Sequence, residues 1–211
     1  MMAQGQATSG KNHMAPTAAS IPPSDTDAVL LARLVARDQQ ALRQVLQAYG
    51  QTIFAYALRR LGTPEDAQDV VNDTLLALWR QAQRAQAQAS SLRAWLLGIA
   101  RHKILDVLRS RGQAWREVAD EDGALLNHAT DPDPSPLERL CQECDETRLA
   151  AALDQLPEAQ REALYLFTYE GLSLAEIASI QQVPLATVGT RLHQARLRLR
   201  RHLAAADEPL R

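Results

Sequence analysis

Residues 173–200 read SLAEIASIQQVPLATVGTRLHQARLRLR, and their spacing decides the fold. Ser173 followed three positions later by Glu176 has the pattern of a capping box, in which two side chains satisfy backbone N–H groups that the first turn of a helix leaves open. That helix is short, and its Ile177 and Ala178 face inward; Ala178 is small enough to let a second helix come close. Gln181-Gln182-Val183-Pro184 reads as a turn, with Pro184 suited to the first position of the next helix, where a missing N–H costs nothing. Val188, Leu192, Ala195 and Leu199 then recur at three- and four-residue steps as the buried stripe of a longer helix. Short helix, tight turn and longer helix together make a helix-turn-helix.

The longer helix carries donors on its other face. Thr187, Thr190, Arg191, Gln194, Arg196, Arg198, Arg200 and Arg201 offer hydroxyl, amide and guanidinium groups, and residues 189–201 contain no acid. Donors near the start of such a helix read base edges in a major groove, while arginines further along clamp phosphates. Arginine outnumbers lysine 21 to 2, so an amphipathic surface helix in an Arg-rich chain is the rival reading. The turn pattern and the missing acids both favour DNA.

Upstream of this segment the periodicity stays helical. Leu149, Ala152, Leu153 and Leu156 form one stripe and Ala163, Leu164, Leu166 and Phe167 another, divided at Pro157 and closed by Gly171, in a block that begins near Leu137. Further back, Leu30, Leu31, Leu34, Leu42, Val45, Leu46, Tyr49, Ile53, Phe54, Ala57, Leu58 and Leu61 recur at helical spacing. Thr63-Pro64-Glu65-Asp66 starts a new helix, with Thr63 as N-cap and an acidic pair at the positive end of the dipole. Its inward stripe is Ala67, Val70, Val71, Leu75, Leu78 and Trp79, which leaves Asp66, Asp69, Asn72 and Asp73 together on another face. Residues 81–90 suit either helix or loop. From Ser90 or Ser91 a further helix runs to about Arg111, turning Leu92, Trp95, Leu96, Ile99, Leu105 and Leu108 inward and Arg93, Arg101, Lys103, Arg109 and Arg111 elsewhere. Gly98 and the Arg101-His102 region predict a bend or break in it.

Charge sorts along the chain. Residues 27–113 hold 12 basic and 7 acidic groups, residues 114–147 hold 2 and 10, and residues 148–204 hold 7 and 5, although the whole chain nets −2. Two basic modules that meet a polyanion, joined by an acidic, Pro- and Gly-containing linker at 114–147, account for that order. Thirty-four residues reach about 110 Å extended and about 32 Å as a flexible coil, enough to bridge two separated DNA elements. Residues 1–26, nearly free of large apolar side chains, read as a mobile extension, and 205–211 as a tail.

Composition excludes several classes. With 46% hydrophobic and 4% aromatic residues the chain is predicted to be all-α rather than disordered or an aromatic-rich β-sandwich. No run approaches a membrane span and no secretory signal is visible, which predicts a cytoplasmic protein with no membrane insertion of its own. Cys141 and Cys144 form one CxxC, two ligands where structural zinc takes four, and His128 makes only a third. A dithiol sensor and incidental thiols are the two remaining readings of that pair. His102, His128, His193 and His202 have no nucleophile or carboxylate partner at motif spacing, and no Gly-rich phosphate loop is present, so no catalytic site, metal or cofactor is expected.

The whole pattern resembles a bacterial sigma factor of the extracytoplasmic-function (ECF) group, the two-domain minimal form of the sigma-70 family, over about residues 27–204. DAQDVVNDTLLALWR (66–80) is similar to the family's polymerase-binding helix, SLRAWLLGIARHKILDVLRSR (91–111) to its promoter-melting and −10-reading segment, and residues 152–200 to its −35-reading domain. The resemblance implies sigma region 2 over 27–113 and sigma region 4 over 148–204. It implies that Asp66, Asp69, Asn72 and Asp73 dock on core RNA polymerase. Arg93, Arg101, His102, Lys103 and Arg109 would then serve −10 DNA, around a pocket that holds a flipped base. Thr187, Thr190, Arg191, Gln194 and Arg196 would contact the −35 element. Promoter DNA, core polymerase and an anti-sigma factor are the implied partners, and promoter-specific transcription initiation the implied function. The family usually has Gln-Glu at Asn72-Asp73, Asn at His102 and Gly at Gln182; a side chain at Gln182 carries strain if the turn needs positive φ. An autonomous helix-turn-helix repressor or activator is the alternative from another class.

Overall fold

The computed structural model describes residues 25–88, 91–112 and 146–205. Expectations for the N-terminal extension, the acidic linker, His128, the Cys141/Cys144 pair and the tail therefore lie outside or almost wholly outside the described residues. Every regular element among those described is a helix: α1 (Asp25–Val35), α2 (Gln39–Leu61), α3 (Pro64–Arg80), α4 (Ala82–Gln88), α5 (Leu92–Ser110), α6 (Glu146–Asp154), α7 (Glu158–Thr168), α8 (Leu174–Gln181) and α9 (Leu185–Ala205).

The first five helices make one bundle. Asp38 caps α2 by accepting the Gln40 N–H at 2.8 Å, and α2 ends at Gly62, whose φ of 73° lets its N–H turn back to Leu58 O at 2.9 Å. α3 then returns along α2 and packs on α5, burying Ala67, Val70, Val71, Leu75 and Leu78 as the periodicity predicts, with Trp79 only half-buried. Thr63 sits at the N-cap, yet its hydroxyl donates to the Asp66 carboxylate instead of accepting a backbone N–H. Residues 82–88 are helical because Ala82 and Ala85 bury against α1.

One inward assignment and one expected break need correction. Leu46 is 44% exposed, displaced from the inner face by Ala41 and Val45, and the expected break in α5 is absent. Gly98 lies mid-helix with Ile180 of α8 about 4.0 Å from where its Cβ would be, so packing on a neighbour supports the helix where glycine alone would weaken it. Arg101 also departs from the sequence reading: it turns inward and is 4% exposed.

The last four helices form the second domain. α9 packs on α6, α7 and α8 through Val188, Leu192, Ala195, Leu199 and Leu203. The capping box is complete, with Ser173 Oγ accepting the Glu176 N–H and Glu176 Oε2 accepting the Ser173 N–H at 2.9 Å. Gln182 closes α8 in the left-handed region at φ 56°, ψ 43°, so the turn does need positive φ and the side chain there carries the strain. The described start of this domain is Glu146; the predicted start near Leu137 falls outside the described residues. The two domains do not stand apart. α5 packs on α8, and their apolar cores are continuous.

Candidate functional site

Three surfaces carry the chemistry the sequence singled out, and the structure links them. On α3, Asp69, Asn72 and Asp73 are exposed at helical spacing, with Gln68 Nε2 3.4 Å from Asn72 Oδ1 and Leu76 open to solvent beside them. Asp66 is set apart from this group: it is half-buried, accepts from Thr63 and pairs with Arg111. Lys103 Nζ lies 3.3 Å from Asp73 Oδ2, so the acidic face and the basic face of α5 adjoin.

On α5, Arg109 is exposed and pairs with Asp106 at 2.6 Å. Arg93, Arg101 and His102 instead point to the second domain. Arg93 Nη1 donates to Glu170 O at 2.9 Å, His102 Nε2 lies 3.3 Å from Gln182 Nε2, and Arg101 Nε reaches Glu162 Oε2 at 3.3 Å. Trp95 packs against the core as its spacing predicts.

On α9, Thr187, Thr190 and Gln194 are partly exposed along one side of the helix, and Arg196, nine residues after Thr187, is partly exposed on the opposite side. Thr190 donates to Ala186 O at 3.1 Å, Gln194 accepts from Gln160 Nε2 at 2.8 Å, and the Arg196 guanidinium lies 5.7 Å from the Phe167 ring centre. Arg191 is different. It is 6% exposed and donates to Gln181 Oε1 at 2.9 Å, an inward placement that the donor pattern did not foresee.

The residues that sequence reasoning missed meet at Glu162. This carboxylate is 1% exposed. Oε1 accepts the Tyr56 hydroxyl at 2.5 Å and Arg60 Nη2 at 3.1 Å, while Oε2 accepts Arg101 Nε at 3.3 Å and Gln181 Nε2 at 3.0 Å. Arg60 also pairs with Glu158 at 2.6 Å. Burial alone would raise the Glu162 pKa, but the Arg60 and Arg101 charges and the Tyr56 and Gln181 hydrogen bonds outweigh it and hold the carboxyl below its ordinary value. Burial and the adjacent Glu162 charge push the Tyr56 hydroxyl well above its ordinary value, so it remains a donor. Nearby, Arg59 stacks over Tyr165 and Tyr169 at 4.9 and 5.4 Å, and a cavity of about 250 Å³ opens between α2, α6 and α7. The signals were a Tyr and an Arg four apart on α2 and a lone acid between Ala159 and Ala163, but neither shows from periodicity which partner it meets.

Two family models match parts of this chain. The models described as Sigma-70 region 2 and Sigma-70, region 4 match residues 45–114 and 146–199. The ECF RNA polymerase sigma factor SigE of Mycolicibacterium smegmatis is 33% identical over 76% of this chain, which spans 61% of that relative's length. The RNA polymerase sigma factor CnrH of Cupriavidus metallidurans is 30% identical over 88% of this chain and 98% of its own. A solved structure of the sigma factor RpoE in complex with the anti-sigma factor NepR, from Bartonella quintana, is 30% identical over 79% of this chain and 98% of its own, with a TM-score of 0.54. With both regions matched in order and the Cupriavidus relative matched over nearly its whole length, the chain belongs to the sigma-70 family as a sigma factor of the ECF group.

Proposed function

We propose that the chain is a promoter-specificity subunit of RNA polymerase. It binds the core enzyme, opens and reads −10 DNA with the first domain, and reads −35 DNA with the helix-turn-helix. The observation that carries this reading is the pairing of an exposed acidic face on α3 with an acid-free helix α9 behind a complete capping box and turn. Asp69, Asn72 and Asp73 supply the docking face for core polymerase, and Asp66 braces the start of α3 through Arg111. Lys103, Arg109, Arg93, His102 and Arg101 lie along α5 for the −10 strand, and Thr187, Thr190, Arg191, Gln194 and Arg196 along α9 for the −35 duplex.

The protein performs no reaction of its own; its work is to lend an address to an enzyme that lacks one. No described helix is long and apolar enough to cross a membrane, and a subunit that works on promoter DNA acts in the cytoplasm. An anti-sigma factor is its regulator, in keeping with the similar Bartonella sigma factor solved in complex with one. The test is gel filtration with purified core enzyme followed by run-off transcription. Co-elution and promoter-specific transcripts support the reading. Duplex binding as a dimer, with no effect on the core, would replace it with an autonomous repressor or activator.

A further inference from the structure

We infer that Gln160, sealed inside the second domain, decides which base Gln194 reads: it makes that amide a reader of guanine and turns it away from adenine. The inference deepens the reading of Gln194 as a −35 contact and rests on it. Gln160 is 3% exposed and cannot reach DNA itself. It lies in the first turn of α7, and its Nε2 donates across to Gln194 Oε1 on α9 at 2.8 Å. Gln194 is partly exposed on the side of α9 that carries Thr187 and Thr190, seven and four residues before it. Its own Nε2 is neither buried nor bonded to a described residue.

An untethered glutamine amide offers a donor and an acceptor side by side, the pair that matches adenine, whose N7 accepts while its N6 donates. With Oε1 turned inward onto Gln160, Gln194 presents only the two N–H groups of Nε2. Donors from a single nitrogen match guanine, which shows two adjacent acceptors, N7 and O6, in the major groove. The same donors oppose the amino group that adenine places beside its N7. One buried hydrogen bond therefore removes the acceptor that adenine needs and leaves the donors that guanine takes.

The direction of that bond follows from what surrounds it. Gln160 Oε1 is buried and has no partner among the described residues. Reversing both amides would put an amino group with two N–H at that place, and buried N–H groups without an acceptor are rarer than carbonyl oxygens short of a donor. Packing does not account for an amide at position 160, because a methionine fills a similar space without an orphan oxygen. Gln160 is thus a positioning residue: it acts on DNA only through the amide it holds, 34 residues along the chain.

The test uses the full-length chain bound to core polymerase on a pool of templates randomised upstream of the start, with the upstream DNA of every transcript sequenced. Gln194→Ala marks the base pair that Gln194 reads, as the one position whose preference it flattens. The expected base pair there is G·C, favoured over A·T about tenfold, and replacing its guanine by 7-deazaguanine, which lacks the N7 acceptor, removes most of the advantage. In Gln160→Met the freed amide also accepts adenine, so the preference for G·C over A·T at that position falls about tenfold while preferences at the other upstream positions stay. A merely structural role would lower use of all sequences together. Circular dichroism checks the helix content of Gln160→Met, and Gln160→Leu decides the question if that variant unfolds. A preference for A·T at the marked position, or one that ignores Gln160→Met, overturns the role of Gln160 alone. No position marked by Gln194→Ala removes Gln194 as a reader and this inference with it, and starts that share no upstream motif with the unaltered chain remove the sigma reading itself.

Discussion

Ser91 and Glu176 join the caps of two helices in different domains. Ser91 Oγ accepts the Ala94 N–H at 3.1 Å to start α5 and donates to Glu176 Oε1 at 2.6 Å, while the other oxygen of Glu176 accepts from Ser173 at the start of α8. α5 and α8, the first helix of the helix-turn-helix, therefore begin from one hydrogen-bonded cluster.

That arrangement makes Ser91→Ala more costly than loss of an ordinary cap. A missing N-cap hydroxyl costs about 1 kcal/mol, and leaving Glu176 short of a donor in a mostly buried site adds to it, for a total of about 2 kcal/mol. Urea denaturation of Ser91→Ala checks this. A loss no larger than the about 1 kcal/mol of an ordinary N-cap would mean that the bridge between domains contributes nothing.

Gln182→Gly should stabilise the chain. Gln182 sits at φ 56°, where a Cβ is unfavourable and glycine is not. The contact it gives up, 3.3 Å to His102, is exposed and weak. The expected gain is about 0.5–1 kcal/mol in the denaturation midpoint converted through the urea slope; a fall in the midpoint would show that the His102 contact outweighs the backbone strain.

Reversing charge with Asp69→Lys and Asp73→Lys should abolish co-elution with core polymerase while helix content survives. Both side chains are exposed, and the one ion pair lost, Asp73 to Lys103 at 3.3 Å, is solvent-screened and contributes under about 1 kcal/mol. Normal co-elution of the folded double variant would move the docking surface elsewhere.

Glu162 gives the chain a defined acid dependence. Its native pKa lies below the unfolded value of about 4.3, so its contribution is fully present above that pH and is lost as pH falls through the native value. The stability gap between the unaltered chain and Glu162→Gln, on the order of 3 kcal/mol near neutrality for a broken buried pair, should therefore narrow below about pH 4. Denaturation curves at a series of pH values would contradict this by showing a constant gap.

Much of this was legible in the sequence for identifiable reasons. Ser173, Glu176 and Pro184 act through local backbone geometry, so the helix-turn-helix could be read without tertiary contacts, and the stripe from Ala67 to Leu78 follows from period alone. α4 is ambiguous in the sequence because its helix depends on Ala82 and Ala85 meeting α1. Period and composition place Arg101 and Arg191 outward, because arginine in an acid-free stretch is usually solvated. The inward turn of Arg101 depends on Glu162, 61 residues away, and that of Arg191 on Gln181, and no periodic pattern marks either pairing. Expectations for the linker and for Cys141 and Cys144 concern residues outside those described.

The central claim is that this chain supplies promoter address to core polymerase. Its most direct test is transcription from a pool of random-sequence templates by core enzyme with and without the purified chain, with the upstream DNA of every transcript sequenced. Starts that depend on the chain should share two short motifs at constant separation, the upstream one altered when Thr187, Thr190 or Gln194 is replaced. Starts that are the same with and without the chain, or that share no upstream sequence, would contradict the account.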